Sequence, residues 1–149
     1  MKTFLLNEQN KPIIRWGYLK DETYFDGTIP EGYYLAACPS GNIVVLDIDN
    51  KNGKCGYNHI PYSIQIELNN TFNYKTPSGG AHHWIEYTGN KILKNTSTKF
   101  GLDLRIGSKD KNSGGYVKYH HNIDIRKCKY LIKQSSENLN KWLEELFSK

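Results

Sequence analysis

Cysteine is scarce: Cys38, Cys55 and Cys128 are the only three in 149 residues, and no two form a C-x-x-C pair. An odd, scattered set excludes a disulfide framework and a four-cysteine zinc site, and it fits an intracellular, reducing compartment. Long apolar runs are missing as well. Nothing approaches the roughly 20 residues of a membrane helix, so no membrane association is expected. Met1 to Arg15 lacks the apolar stretch and small-residue cleavage site of a signal peptide. There are no internal repeats. One segment, Gly107 to Gly115, is rich in Gly, Ser, Lys and Asn, and it reads as a loop between strands, not an interdomain linker. A single domain over residues 1–149 is therefore expected.

Aromatic residues are plentiful. They reach 13%, with 11 Tyr, 5 Phe and 3 Trp, and so supply a core that the modest aliphatic content would not. Charge is unevenly spread. Lys91 to Lys133 holds 11 basic and 3 acidic residues, net +8, and the remainder sums to −3 within an overall +5. Such a basic half fits a polyanionic partner, and equally an ordinary lysine-rich solvated surface.

Alternation and turn signals outline the elements. Pro12 makes Lys11 to Trp16 an extended lead-in. Tyr33 to Ala37 and Ile43 to Asp49 read as two strands around the Pro39-Ser40-Gly41-Asn42 turn. Ile60 to Leu68 satisfies both periods: Ile60, Ile64 and Leu68 fit a helix, Ile64, Ile66 and Leu68 a strand. Phe72 to Thr76 and His82 to Tyr87 are strands joined by Pro77-Ser78-Gly79-Gly80-Ala81, and Phe100 to Ile106 and Gly115 to His120 are further strands. Ser136 to Phe147 is the clearest helix, with Ser136 as N-cap and an apolar face of Leu139, Trp142, Leu143 and Leu146. Strands outnumber helices and many connections are short, which predicts an α+β domain with a largely antiparallel sheet.

Three patterns carry chemistry. In Asp47-Ile48-Asp49, the two-residue period of a strand puts both carboxylates on one face and Ile48 in the core. Their repulsion is relieved by a divalent cation, Mg²⁺ or Mn²⁺ for hard oxygen ligands, or by water if this is only a solvated strand end. Asp103 and Arg105 share the polar face of their strand opposite Leu102, Leu104 and Ile106. Asp103 either pairs with Arg105 or joins the first two acids in a two-metal site. Ser78-Gly79-Gly80-Ala81-His82 places a hydroxyl, two glycines and an imidazole between two strands. That suits phosphate binding, or it is a hairpin turn that contains glycine. His83 should face away from His82, and at most one residue each of His82-His83 and His120-His121 can reach a common point.

In this order and at these spacings the three patterns resemble the bifunctional primase-polymerase branch of the archaeo-eukaryotic primase superfamily. Its D-h-D/E strand, S-G-G-x-H turn and later h-D strand are matched by Asp47-Ile48-Asp49, Ser78-Gly79-Gly80-Ala81-His82 and Leu102-Asp103. Lys11-Pro12 with Trp16, the Tyr33 to Asn42 strand-turn, and Gly114-Gly115-Tyr116-Val117 add matches, so that the resemblance covers about Lys11 to Tyr119. It implies an RRM-like, mostly antiparallel sheet packed against helices beside an N-terminal α/β unit. It implies template-directed nucleotidyl transfer, as a DNA primase or polymerase serving a phage, plasmid or other mobile element, in the cytoplasm of a cell or infected host. Asp47, Asp49 and Asp103 would hold Mg²⁺ or Mn²⁺; together with His82 they are the expected catalytic residues. Ser78, Gly79, Gly80 and His82 would hold the nucleoside triphosphate, and Arg105 joins them on strand geometry. Single-stranded DNA is the expected template, with Lys109, Lys111 and Lys118 as its contacts. No Walker-type phosphate loop is present, so a helicase or other replication partner would come from another chain. The family's small-residue, Pro-Pro-Ser-like segment is replaced here by Lys118-Tyr119-His120-His121-Asn122, and the segment between Asp49 and Thr71 is short. A non-catalytic single-stranded nucleic-acid-binding relative and a metal-dependent nuclease are the alternatives.

Overall fold

A computed structural model describes residues 1–107 and 115–148. The elements run β1 (Lys2–Leu6), β2 (Tyr34–Cys38), β3 (Ile43–Ile48), β4 (Asn50–Lys51), β5 (Lys54–Cys55), α1 (Tyr62–Asn69), β6 (Asn73–Lys75), β7 (Ala81–Glu86), β8 (Thr96–Ser97), β9 (Leu102–Ile106), β10 (Val117–Lys118), α2 (Ile125–Cys128), β11 (Lys133–Gln134) and α3 (Glu137–Phe147). The chain is α+β with mostly antiparallel strands, as its pattern predicts. Among the described residues, no helix is long and apolar enough to cross a membrane.

The main sheet has the order β11-β7-β3-β9-β8, with β6 also paired to β7. Only the β11–β7 pairing is parallel. Strand alternation sorts its two faces. Val44, Leu46, Ile48, Ile85, Leu102 and Leu104 point to one side, where Ile64 and Leu68 of α1 and Leu139, Leu143 and Phe147 of α3 cover them. Burying side chains of this size stabilises by about 1.5–3 kcal/mol each. Val45 and Trp84 point to the other side and pack with Ala37 of β2, Val117 of β10, Met1 and Ile125. The second sheet, β1-β2-β10, therefore covers part of the main sheet's other face and leaves the rest open.

Several local readings hold. Ser136 caps α3, its hydroxyl accepting from the Leu139 N–H. The ambiguous Ile60 to Leu68 segment is helical from Tyr62, with Pro61 at the N-cap. Ile64 and Leu68 are buried and Ile66 is exposed, which is the helical assignment of faces and not the strand one.

The strands read on either side of Pro39 to Asn42 are both present, but they do not pair with each other: β2 pairs with β1 and β10, whereas β3 pairs with β7 and β9. The consecutive apolar residues Val44, Val45 and Leu46 need cover on both faces, and only a central strand of a two-sided sheet provides it. The expectation of an N-terminal α/β unit is corrected: the unit is β-rich. Among the described residues, the helical pieces before α1 are two 3-10 turns, Gly56–His59 and Trp16–Tyr18. Trp16 there stacks on Phe4, ring centres 5.7 Å apart, and meets Tyr116 edge-on. Strand β1 carries no two-residue alternation, since Thr3 to Leu6 is buried throughout.

Candidate functional site

The open part of the main sheet forms the floor of a trough of about 430 Å³, lined by Asp47, Asp49, Ser78, His82, Arg105 and Lys118 among others. Register places its centre. Asp47 of β3 is directly opposite His82 of β7 on one side and Asp103 of β9 on the other. The row continues outward to Tyr74 of β6 and Ser97 of β8. Five strands thus carry one polar row across the sheet.

Asp47 and Asp49 share a face, with Ile48 between them 1% exposed. Asp49 lies just beyond β3 and is held by its backbone: its N–H donates to the Gly101 carbonyl (2.8 Å) and its carbonyl accepts from the Gly56 N–H (2.9 Å). Gly101 supports this with a φ of +91°, and a Cβ on Gly56 would sit 2.3 Å from the Gly101 carbonyl oxygen. Burial, then the carboxylates of Asp47 and Asp103, push the Asp49 pKa up, and Lys51 and Lys54 partly offset them. Three like charges are therefore close enough to oppose one another. Among the described residues, no group of three His, Cys, Asp or Glu side chains is gathered tightly enough to hold a metal by itself. The donor set fits a Mg²⁺ or Mn²⁺ held by one or two carboxylates and completed by water and substrate phosphate, the usual habit of Mg²⁺.

Asp103 stands beside the first two acids but is drawn outward. One oxygen accepts from the Thr98 N–H (3.2 Å), and the other is 3.7 Å from the Arg105 guanidinium. Asp103 thus lies near Arg105, as the pairing reading expects, and also stands directly across from Asp47. Arg105 itself lines the trough.

His82 is 4% exposed. Its Nε2 lies 3.4 Å from Asp47 Oδ1, and its Nδ1 lies 3.0 Å from the Tyr74 hydroxyl. That hydroxyl accepts from Trp84 Nε1–H at 3.2 Å. His83 faces the helices, as expected, and its Nδ1–H donates to the Leu68 carbonyl (2.7 Å). Burial pushes its pKa down to about 4.

The glycine turn departs from expectation. Ser78 reaches the trough, but the Gly79 N–H donates to the Thr76 carbonyl (3.0 Å) and is not free for a ligand. A Cβ on Gly80 would lie 2.0 Å from the Ile48 carbonyl oxygen. The close approach that Gly80 permits is to strand β3, so its first role is to seat the turn against the carboxylate strand. Gly79, with a φ of +89°, completes the turn.

Lys118 lines the trough and lies over the Tyr34 ring, 4.2 Å from its centre. Lys109 and Lys111 lie outside the described residues. Sequence reasoning missed three contributors: Lys51, Tyr74 and His120. His120 lines the trough, its ring centre 5.9 Å from that of His82. Burial, then His82 and Lys118, lower its pKa. One residue of each His-His pair therefore does reach a common place, as strand alternation allows. Tyr74 had a legible signal, since Phe72 to Thr76 is a strand next to the His82 strand.

No family model and no curated protein matches this chain.

Proposed function

We propose that the chain is a small nucleotidyltransferase domain of primase-polymerase type, acting on nucleoside triphosphates along a single-stranded DNA template with Mg²⁺ or Mn²⁺. The observation that carries this reading is the row His82–Asp47–Asp103, in register on three adjacent strands, opening on the same trough as Asp49, Ser78 and Arg105. Asp47 and Asp49 are the first carboxylates offered to the metal, with Asp103 beside them. Such ions, when bound, supply Lewis-acid stabilisation of charge on phosphoryl oxygens. His82 and Ser78 donate hydrogen bonds to the triphosphate, and Arg105 brings a neutralising charge held in place by Asp103. Lys118 and Tyr34 offer a cation and an aromatic face at the rim, the pairing that tracks a single strand.

The test is incubation with single-stranded template, mixed nucleotides and Mg²⁺ or Mn²⁺, followed by sizing of the products and assay of released pyrophosphate. New strands with matching pyrophosphate support the proposal. Template retained without product identifies a binding protein, and shortened template a nuclease; either result overturns it.

A further inference from the structure

Buried polar groups must be satisfied, and counting donors and acceptors behind the trough gives a definite answer. Tyr74 is 8% exposed and Trp84 fully buried. The indole Nε1–H of Trp84 is a donor only, so at 3.2 Å it donates to the Tyr74 oxygen. The Tyr74 hydroxyl keeps its own proton, because burial, the largest influence on it, raises its pKa further above the ordinary tyrosine range. That proton needs an acceptor. Among the described residues, the one other polar atom recorded against this oxygen is His82 Nδ1 at 3.0 Å. If Nδ1 carried a hydrogen as well, the hydroxyl would accept twice and leave its own proton buried without a partner, which costs about 1–3 kcal/mol.

We infer that Trp84 and Tyr74 form a buried relay, Trp84 Nε1–H to Tyr74 Oη–H to His82 Nδ1, that fixes the His82 tautomer with its hydrogen on Nε2, facing the trough. Tyr74 is then a positioning residue: it contacts neither metal nor nucleotide, and it decides which face of His82 donates. The geometry on the other side agrees, since Nε2 points at Asp47 Oδ1, 3.4 Å away, where an N–H is favourable and a bare nitrogen is not. Packing holds the relay still: the Tyr74 ring meets His82 edge-on at 5.2 Å and Tyr119 edge-on at 5.3 Å. Fixing a functional imidazole through its second nitrogen is the usual way a protein selects a tautomer. The tautomer stands on hydrogen bonding alone; its consequence for nucleotide binding rests on the function proposed above.

The experiment is nitrogen-15 NMR of the imidazole-labelled protein at about pH 8.5, well above the ordinary histidine pKa of about 6.5, with His82 assigned by its absence in His82→Gln. The expected spectrum shows His82 protonated on Nε2, with Nδ1 displaced from the position of an unbonded ring nitrogen. In Tyr74→Phe, Nδ1 should move to that unbonded position. A hydrogen on Nδ1 in the unaltered protein overturns the relay, and so does an Nδ1 signal that Tyr74→Phe leaves unmoved. If Tyr74→Phe does not fold, the unaltered protein's tautomer decides. In parallel, Tyr74→Phe should weaken nucleoside triphosphate binding about five- to tenfold and leave Mn²⁺ affinity without nucleotide unchanged. Failure of the unaltered protein to bind nucleotide, with Nε2–H observed, overturns the proposed function and leaves the relay standing. Nucleotide affinity in Tyr74→Phe within twofold of the unaltered protein overturns the positioning role.

Discussion

Asp47 and Asp103 are directly opposite partners on adjacent antiparallel strands, two carboxylates in one cross-strand pair. Like charges in that position oppose folding by a few tenths to about 1 kcal/mol. Asp49, one step along the same face, feels both. This arrangement carries a cost that a cation bound between the carboxylates would remove.

Replacing Asp49 by Asn should therefore cost no stability in chelator, and should raise it by up to about 1 kcal/mol. Mg²⁺ or Mn²⁺ should raise the melting temperature of the unaltered protein and raise that of Asp49→Asn much less. Asp47→Ala or Asp49→Ala should abolish synthesis with the fold intact by circular dichroism. An equal metal-induced shift in both proteins counts against these acids as ligands.

On the proposed function, His82→Ala would remove a charge-assisted donor to phosphate. Nucleotide affinity should fall about ten- to a hundredfold, the equivalent of roughly 1.5–3 kcal/mol, while Mn²⁺ affinity in the absence of nucleotide stays the same. Calorimetric titration of each ligand separately checks this, and loss of Mn²⁺ binding alone would reassign His82 to the metal.

Stability should depend on pH through His83. Its folded pKa, about 4, lies below the ordinary 6.5, so the unfolded chain binds the extra proton first. Its contribution is fully present above pH 6.5 and is lost as the pH falls toward 4, with a total near 3 kcal/mol at about 1.36 kcal/mol per pH unit. Urea unfolding across this range should show the slope, and His83→Asn, which keeps a donor for the Leu68 carbonyl, should flatten it.

Lys118→Ala should weaken single-stranded DNA binding and lower the slope of log affinity against log salt by about 0.7, the share of one phosphate contact. An unchanged slope places the strand elsewhere.

Gly80→Ala brings a Cβ 2.0 Å from the Ile48 carbonyl oxygen. The turn must move off β3, and the expected cost is about 1–3 kcal/mol. Because that turn carries Ser78, nucleotide affinity should fall as well. A variant with unaltered stability and affinity would show that the turn is not seated on the strand.

Much of this site is legible along the chain because it depends on local geometry. A strand's two-residue period determines that Asp47 and Asp49 face together, that Asp103 and Arg105 do likewise, and that His82 and His83 part. The same period, read at Ile66 against Ile64 and Leu68, leaves helix and strand equally good until the surroundings choose. The amphipathic stripe and Ser136 determine α3, since cap and face both lie within a dozen residues.

What tertiary structure alone decided is which strands are neighbours. Sequence order suggests that β3 pairs with β2 across a short turn, but pairing is settled by the burial of both faces of Val44, Val45 and Leu46, and that puts β3 between β7 and β9. From this register comes the row His82–Asp47–Asp103, and the packing of the second sheet against the first brings His120 toward His82. The sequence by itself determined the residues offered to each face. Their meeting depends on free energy gained by burying side chains far apart in the chain, and no local pattern records it.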